Sequence, residues 1–137
     1  MDMESLIIKE ICGHLPETQA IYLFGSYASG HARPDSDIDI AVLLPFARAG
    51  SFSITDQIGL ANHLAISLGR QVDLVNLRRV ATTFQAEVIS SGRRIHAPDS
   101  DAAERFVLFT LSSYQKLNYE RTDILAMGAA GGRFYQL

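Results

Sequence analysis

Hydrophobic residues recur along this chain in two spacings, one typical of amphipathic helices and one typical of buried strands. The helical spacing predicts four helices, the last of them long, over residues 5–14, 54–68, 82–91 and 99–127. Short apolar runs bounded by glycine or proline predict four strands, over residues 20–24, 37–44, 71–77 and 93–97. The remaining segments are read as loops, including residues 46–53, apart from one short helical turn at residues 26–29. The order predicts an α/β (α+β) fold in which a small mixed sheet of about four strands packs against helices.

Length and composition fit one domain with room for one site. The chain has 137 residues, of which 47% are hydrophobic and 20% charged. We expect residues 1–127 to form a single domain and the Gly/Ala-rich residues 128–137 to form a flexible tail. Fifteen acidic residues against twelve basic ones give a net charge of −3 without any basic block, which argues against direct binding of nucleic acid.

The cysteine count, the histidine positions and the hydropathy exclude several other classes of protein. Cys12 is the single cysteine and so forms no internal disulfide, and the four histidines show no Cys/His grouping at zinc spacing. No apolar stretch approaches the roughly 20 residues that span a bilayer, and the first residues are acidic where a signal peptide is basic. We therefore expect a cytoplasmic protein that does not interact with a membrane.

Two acids in the second predicted strand are the first candidates for chemistry. Asp37 and Asp39 alternate with Ile38, so both carboxylates leave the same face, with Cα atoms about 6.6 Å apart. Two uncompensated charges on a strand built for burial are costly, and a divalent cation such as Mg²⁺ would remove that cost. An isolated Asp-x-Asp is nevertheless more often an exposed strand start, and this alternative stays open.

A glycine-serine pair follows the first strand. If the chain turns at Gly25 and Ser26 opens a helical turn, the serine hydroxyl and the backbone N–H groups face a nearby anion. The alternative is an ordinary glycine turn with a serine cap. The span from Gly25 to Gly30 matches a Walker A loop, but His31 and Ala32 replace the required Lys-Ser/Thr.

A third acid, Asp73, lies between Val72 and Leu74 in the third strand. If this strand pairs antiparallel with the second one, or otherwise neighbours it, three carboxylates meet and can hold two metal ions about 4 Å apart for an in-line displacement. A position at the edge of a strand is the competing interpretation of Asp73.

The motif as a whole resembles that of a known superfamily. Gly25-Ser26, ten intervening residues, Asp37-Ile38-Asp39 and a later strand Asp73 resemble the signature of the nucleotidyltransferases that include DNA polymerase β and aminoglycoside nucleotidyltransferases. The short chain is similar throughout to the minimal nucleotidyltransferases, the MntA-type antitoxins encoded beside a HEPN-domain toxin, and residues 25–42 carry the most specific part of the resemblance.

The resemblance implies a polymerase β-like fold, ATP as substrate and two Mg²⁺ ions. Asp37, Asp39 and Asp73 would be the catalytic residues and the metal ligands, and Gly25 and Ser26 would contact the phosphates. Asp73 would act as a metal ligand or also as general base. Two more nucleotide-binding candidates lie in the following loop. Arg33 can reach a phosphate; the alternative is that its side chain is simply solvated. Ser36 can bind nucleotide; the alternative is that it only caps the turn.

For the minimal family, the resemblance implies Mg²⁺-dependent transfer of AMP to a tyrosine of a HEPN RNase toxin. The apolar positions of the C-terminal helix exceed one narrow stripe, so this helix is a candidate docking surface, with Tyr114 and Leu117 as first candidates. Burial in the domain's own core is the equal alternative.

Three rival functions remain. A non-catalytic antitoxin would neutralise its partner by complex formation alone, and a small-molecule nucleotidyltransferase usually has a second domain. A template-dependent polymerase is disfavoured by the net charge of −3 and by only two lysines, Lys9 and Lys116.

Overall fold

The computed structural model describes the backbone of residues 1–33 and 35–130 and the side chains of residues 1–33 and 35–122. Its strands are β1 (Ala20–Phe24), β2 (Ile38–Leu43), β3 (Val72–Asn76) and β4 (Arg93–His96). Its α-helices are α1 (Met3–His14), α2 (Ser26–Ser29), α3 (Phe46–Ser51), α4 (Ile54–Leu68), α5 (Thr82–Ser91) and α6 (Ser100–Ala130), and a 3₁₀ turn spans Leu77–Arg79.

One sequence prediction is wrong. Residues 46–53 are not a loop, because Phe46–Ser51 form helix α3 directly after Pro45. Tertiary packing explains this helix: Ala49 is 2% exposed, and its carbonyl accepts a 2.9 Å hydrogen bond from the side-chain amide of Asn76. A helix of six residues is too short to show a hydrophobic period, so its sequence cannot reveal it.

The four strands form one mixed sheet in the order β3-β2-β1-β4. Strand β1 pairs antiparallel with β2 on one side and with β4 on the other. Strands β2 and β3 are parallel, so the chain crosses over between them through α3 and α4. The expected mixed sheet of four strands is confirmed.

Helices cover the two faces of the sheet with separate hydrophobic clusters. On one face, Ile7 of α1 and Leu64 of α4 pack with Ile38 and Ile40 of β2. On the other face, α5 and α6 contribute residues such as Val88 and Phe106, which pack with Tyr22, Ala41 and Leu43. Because side chains alternate along a strand, Asp39 points toward the face that α5 and α6 cover.

The last helix starts and ends near its predicted limits. Asp99 caps its first turn, where the Asp99 carboxylate accepts a 3.1 Å hydrogen bond from the Ala102 N–H. The helix runs to Ala130, three residues past its predicted end, and a flexible tail over residues 128–137 stays a prediction. The rest of the predicted tail, residues 131–137, lies outside the described residues.

Candidate functional site

Asp39 and Asp73 are direct neighbours across strands β2 and β3. The parallel register pairs Asp39 with Asp73 and, one residue earlier, Ile38 with Val72. Paired residues of adjacent strands lie about 4.8 Å apart and point to the same face, so the two carboxylates meet. Asp39 is partly buried, whereas Asp73 is exposed. The second and third strands are therefore neighbours in the sheet, as predicted, and they pair in parallel.

This contact has an electrostatic cost. Partial burial, the charge of Asp73 and a hydrogen bond with Asp73, together with the charge of Asp37, raise the pKa of Asp39 from 3.8 to about 6. No ion pair among the described residues includes any of these three acids. Asp39 and Asp73 thus offer adjacent carboxylate oxygens, the ligand type that a hard divalent cation prefers.

Asp37 lies one residue before β2 and is exposed. The strand is therefore shorter than predicted at this end, and Asp37 belongs to the loop that leads into it. Its charge still reaches Asp39, since it contributes to the raised pKa of that residue.

Gly25 touches the carboxylate cluster through its backbone. It joins β1 to α2 with φ +67°, and a Cβ atom at this position would overlap the Asp39 carboxylate oxygen Oδ2. The register pairs Phe24 with Asp39, which explains how the turn comes to lie against this side chain. Only glycine satisfies both the backbone angle and the close approach.

The predicted helical turn after Gly25 is confirmed. Helix α2 begins at Ser26, which is half-buried, and ends at Gly30 with φ +79°. The Ala28 and Ser29 N–H groups donate to the Gly25 carbonyl over 3.2 Å, so the Ser26 and Tyr27 N–H groups are the ones that this turn leaves for a ligand. This end of α2 can contact an anion held next to Asp39.

A cleft of about 640 Å³ opens over the two carboxylates. It is lined by Asp39, Asp73, Gly25 and Ser29, by the β residues Phe24, Leu74 and Val75, and by the α5 residues Phe84, Glu87 and Ser91. The Phe24 and Phe84 rings meet edge to face at a centroid distance of 5.6 Å. Sequence reasoning did not find the α5 residues. The spacing of Phe84, Glu87 and Ser91 places them on one face of α5. Only the structure shows that this face lines the same cleft as the carboxylates.

Arg33 and Ser36, the two nucleotide-binding candidates of the loop, are hydrogen-bonded to each other across a turn. The Arg33 N–H donates to the Ser36 hydroxyl over 2.7 Å, and the Ser36 N–H donates to the Arg33 carbonyl over 3.0 Å. The Arg33 side chain is exposed. The capping role of Ser36 is therefore observed, while nucleotide binding by these two residues stays a prediction.

No helix in the described part of the chain is both long and apolar enough to cross a bilayer.

Comparison with known proteins identifies relatives over most of the chain. The family model for polymerase beta nucleotidyltransferases matches residues 7–101. The protein adenylyltransferase MntA of Shewanella oneidensis is 39% identical over 122 residues, which cover 89% of this chain and 84% of that protein.

Solved structures of toxin-antitoxin pairs also match. A crystal structure of a toxin-antitoxin with AMP-PNP contains a chain with TM-score 0.79 and 38% identity, covering 90% of this chain and 95% of that one. A tri-AMPylated Shewanella oneidensis HEPN toxin in complex with its MNT antitoxin gives TM-score 0.74 and 36% identity, covering 90% and 93%. With paired carboxylates on β2 and β3, a glycine turn against them and these relatives over most of its length, this chain belongs to the polymerase β nucleotidyltransferase family.

Proposed function

We propose that this chain transfers AMP from ATP to a tyrosine hydroxyl of a HEPN-domain toxin and so acts as the antitoxin of that toxin. The observation that carries the proposal is the in-register pair of Asp39 and Asp73 in the cleft beside Gly25. The relatives support it, since one is named a protein adenylyltransferase and another was solved with a tri-AMPylated HEPN toxin. We expect the reaction to take place in the cytoplasm.

The Asp39–Asp73 pair fits a divalent metal, and Asp37 in the adjoining loop is the third proposed ligand. Asp39 has a pKa raised to about 6 by burial and by neighbouring carboxylates, and the described residues provide no cation to offset these charges. Asp37, Asp39 and Asp73 would hold Mg²⁺, and we propose two ions. When bound, Mg²⁺ offsets the charge of the triphosphate and lowers the pKa of an attacking hydroxyl.

The chain itself positions the nucleotide. Gly25 lies against Asp39, so phosphates held by the N–H groups at the start of α2 are beside the carboxylates. We assign the Ser26 hydroxyl as an additional donor to these phosphates, and Arg33 as a contact from the neighbouring loop. Phe84 and Glu87 border the cleft opposite the carboxylates and can contact the nucleoside.

In the proposed reaction, the tyrosine oxygen attacks the α-phosphorus, the bond to the β-phosphate oxygen breaks, and pyrophosphate leaves. Asp73 is the more exposed member of the carboxylate pair, so the acceptor hydroxyl reaches it first. Asp73 either accepts the hydroxyl proton or serves only as a metal ligand, in which case the proton passes to solvent water.

The surface of this chain that contacts the toxin is a more specific part of the proposal. Outward positions of α6 carry large apolar side chains, with Leu108 67% and Phe109 73% exposed, and we propose that they contact the toxin. Of the two residues favoured from the sequence, Leu117 is exposed, but Tyr114 is half-buried and lines a small cavity shared with α5. Leu108 and Phe109 are therefore the better first targets.

Two rival functions make different predictions. A non-catalytic antitoxin has no need of an uncompensated carboxylate pair, and its complex with the toxin would form equally well in Asp39→Asn. A small-molecule nucleotidyltransferase would consume ATP with a low-molecular-weight acceptor and leave the toxin unmodified.

The deciding experiment uses the purified chain, a HEPN-domain toxin encoded beside it and Mg²⁺. We expect label from α-³²P ATP, but not from γ-³²P ATP, to appear on the toxin, and the toxin's RNase activity to fall in parallel. Asp39→Asn should show no transfer, whereas Asp35→Asn, which changes an exposed loop acid, should transfer normally. Transfer of the γ label would identify a kinase, and inhibition without any label would identify a binding module.

A further inference from the structure

A second cluster of ligand-type side chains lies where α1 ends beside α4. Glu10 and His14 are one helical turn apart on α1, and His63 comes from α4. Each offers one potential ligand atom, and these atoms lie within 4.8 Å of one another. His63 Nε2 is 2.7 Å from Glu10 Oε2, and the two imidazole rings are 4.9 Å apart at their centroids. The sequence did not group these residues, because the histidines lie on different helices.

The hydrogen bonding of His14 prepares it as a ligand. Its Nδ1 lies 2.9 Å from the backbone carbonyl of Glu10. A carbonyl only accepts, so Nδ1 carries the proton and Nε2 keeps its lone pair free. Metal-binding histidines usually have this arrangement, with the second ring nitrogen donating to a carbonyl or carboxylate.

The surroundings favour a cation. Helix α1 ends at His14, so its unpaired carbonyl groups give this end a partial negative charge. The Glu10 carboxylate adds a full negative charge at the same place. A cleft of about 550 Å³, lined by His14, His63, Asp56 and Arg48 among others, gives solvent access to the cluster, and the Arg48 guanidinium is paired with Glu17 at 3.3 Å.

We propose that Glu10, His14 and His63 bind one divalent transition-metal ion of the Zn²⁺ type, with water from the cleft completing the coordination. Two imidazole nitrogens and one carboxylate oxygen suit Zn²⁺, Co²⁺ or Ni²⁺, whereas Mg²⁺ prefers an all-oxygen set. Bonds of roughly 2.1 Å place the ligand atoms about 3.4 Å apart in a tetrahedral site. His14 and His63 are exposed, so their side chains have room to rotate toward this spacing.

The site is independent of nucleotidyl transfer. Helices α1 and α4 cover the sheet face that Ile38 and Ile40 line, and Asp39 points to the opposite face. A bound ion would therefore join α1 to α4 and stabilise their packing, without contact to the carboxylates of the cleft.

The test uses the full chain after removal of metals with a chelator. Co²⁺ is titrated in, and its visible absorption reports nitrogen and oxygen coordination with fewer than six ligands. We expect one equivalent to bind, to be displaced by Zn²⁺ and to resist an excess of Mg²⁺. His14→Gln and His63→Gln should each weaken Co²⁺ affinity by about tenfold or more. His31→Gln, at an exposed histidine outside the cluster, should bind as the unaltered chain does.

Two further measurements separate this site from the carboxylate cluster. Asp39→Asn should retain the Co²⁺ spectrum, and Zn²⁺ should raise the melting temperature of Asp39→Asn but not of His63→Gln. Absence of Co²⁺ absorption overturns the proposal, and so does a spectrum that persists in both histidine variants. A spectrum lost in Asp39→Asn would place the ion at the carboxylates and would also overturn it.

Discussion

At the scale of single residues, Asp39 combines a catalytic assignment with a cost to folding. Its carboxylate is partly buried against Asp73, and its pKa is raised to about 6. A carboxyl group with a raised folded-state pKa destabilises the fold once it is ionised, since the folded protein then gives up a proton that it holds more tightly than the unfolded chain.

Asp39→Asn should therefore stabilise the metal-free protein while abolishing transfer. We expect its melting temperature at pH 8 to exceed that of the unaltered chain by roughly a few degrees. This advantage should shrink as the pH falls through about 6 and vanish below the ordinary pKa of 3.8, where Asp39 is protonated in both the folded and the unfolded state. Label transfer should fall about a thousandfold or more. Thermal melts across this pH range check the result, with Asp35→Asn as control. A variant less stable than the unaltered chain at every pH would contradict it.

Gly25→Ala should damage the site more than its backbone angle alone explains. Both Gly25 and Gly30 have a left-handed φ, but only at Gly25 would a Cβ overlap Asp39, since a Cβ at Gly30 meets nothing within 4 Å. Each alanine should cost about 1 kcal/mol of conformational energy. In addition, Gly25→Ala must displace the Asp39 carboxylate, so we expect transfer to fall by about tenfold or more relative to Gly30→Ala. Unfolding curves and labelling rates on the two variants make the comparison, and equal rates would refute the contact.

The sequence predicted the chemistry of these residues but not all their contacts. Asp37, Asp39 and Asp73 are acids within or beside apolar runs, which is visible without a structure. The contact of Gly25 with Asp39 depends on the register that pairs Phe24 with Asp39, and register between strands cannot be read from one sequence. The close approach at Gly25 is thus to a side chain of the same domain, and the predicted contact of Gly25 with phosphates stays a prediction.

At the scale of elements, strands were easier to predict than short helices. The run at residues 20–24 lies between a proline upstream and a glycine downstream, and β1 has the predicted bounds. Helix α3 was missed because its stability comes from contacts with distant elements, such as the bond from Asn76 to the Ala49 carbonyl. Helix α5 was predicted, but its part in the cleft was not, because that follows from its position over the sheet.

Helix α6 contains positions that differ sharply in burial, and this allows a test of the partner surface. Leu108→Ser with Phe109→Ser should leave the melting temperature nearly unchanged, because both side chains are mostly exposed, and should weaken the toxin complex by about tenfold or more. Phe106→Ser is the buried counterpart, at 5% exposure, and should cost about 3–5 kcal/mol of stability. Size-exclusion chromatography and calorimetry with the toxin measure both effects. A double variant that binds and is labelled normally would remove α6 from the interface.

At the scale of the whole molecule, nucleotide and metal should stabilise the domain only together. ATP brings further negative charge to three acids that already repel one another, so binding depends on Mg²⁺. At a hundredfold excess over the dissociation constant, Mg²⁺ with AMP-PNP should add about 2.7 kcal/mol to the free energy of unfolding. Chelation with EDTA should cancel the increase, and Asp73→Asn should reduce it. A shift of equal size in EDTA would show that the nucleotide binds without the metal.

The mixed sheet also determines the order in which the carboxylate cluster assembles during folding. Gly25 and Asp39 meet through the antiparallel pairing of β1 and β2, a local contact that needs only the short connection between the two strands. We expect Asp73 to arrive later, because β3 joins in parallel and the whole crossover through α3 and α4 has to close first. The repulsion between the Asp39 and Asp73 carboxylates would therefore arise at the last docking step, when β3 pairs with β2. A cation that offsets this repulsion would act on that step, so we expect added Mg²⁺ to speed the completion of the fold.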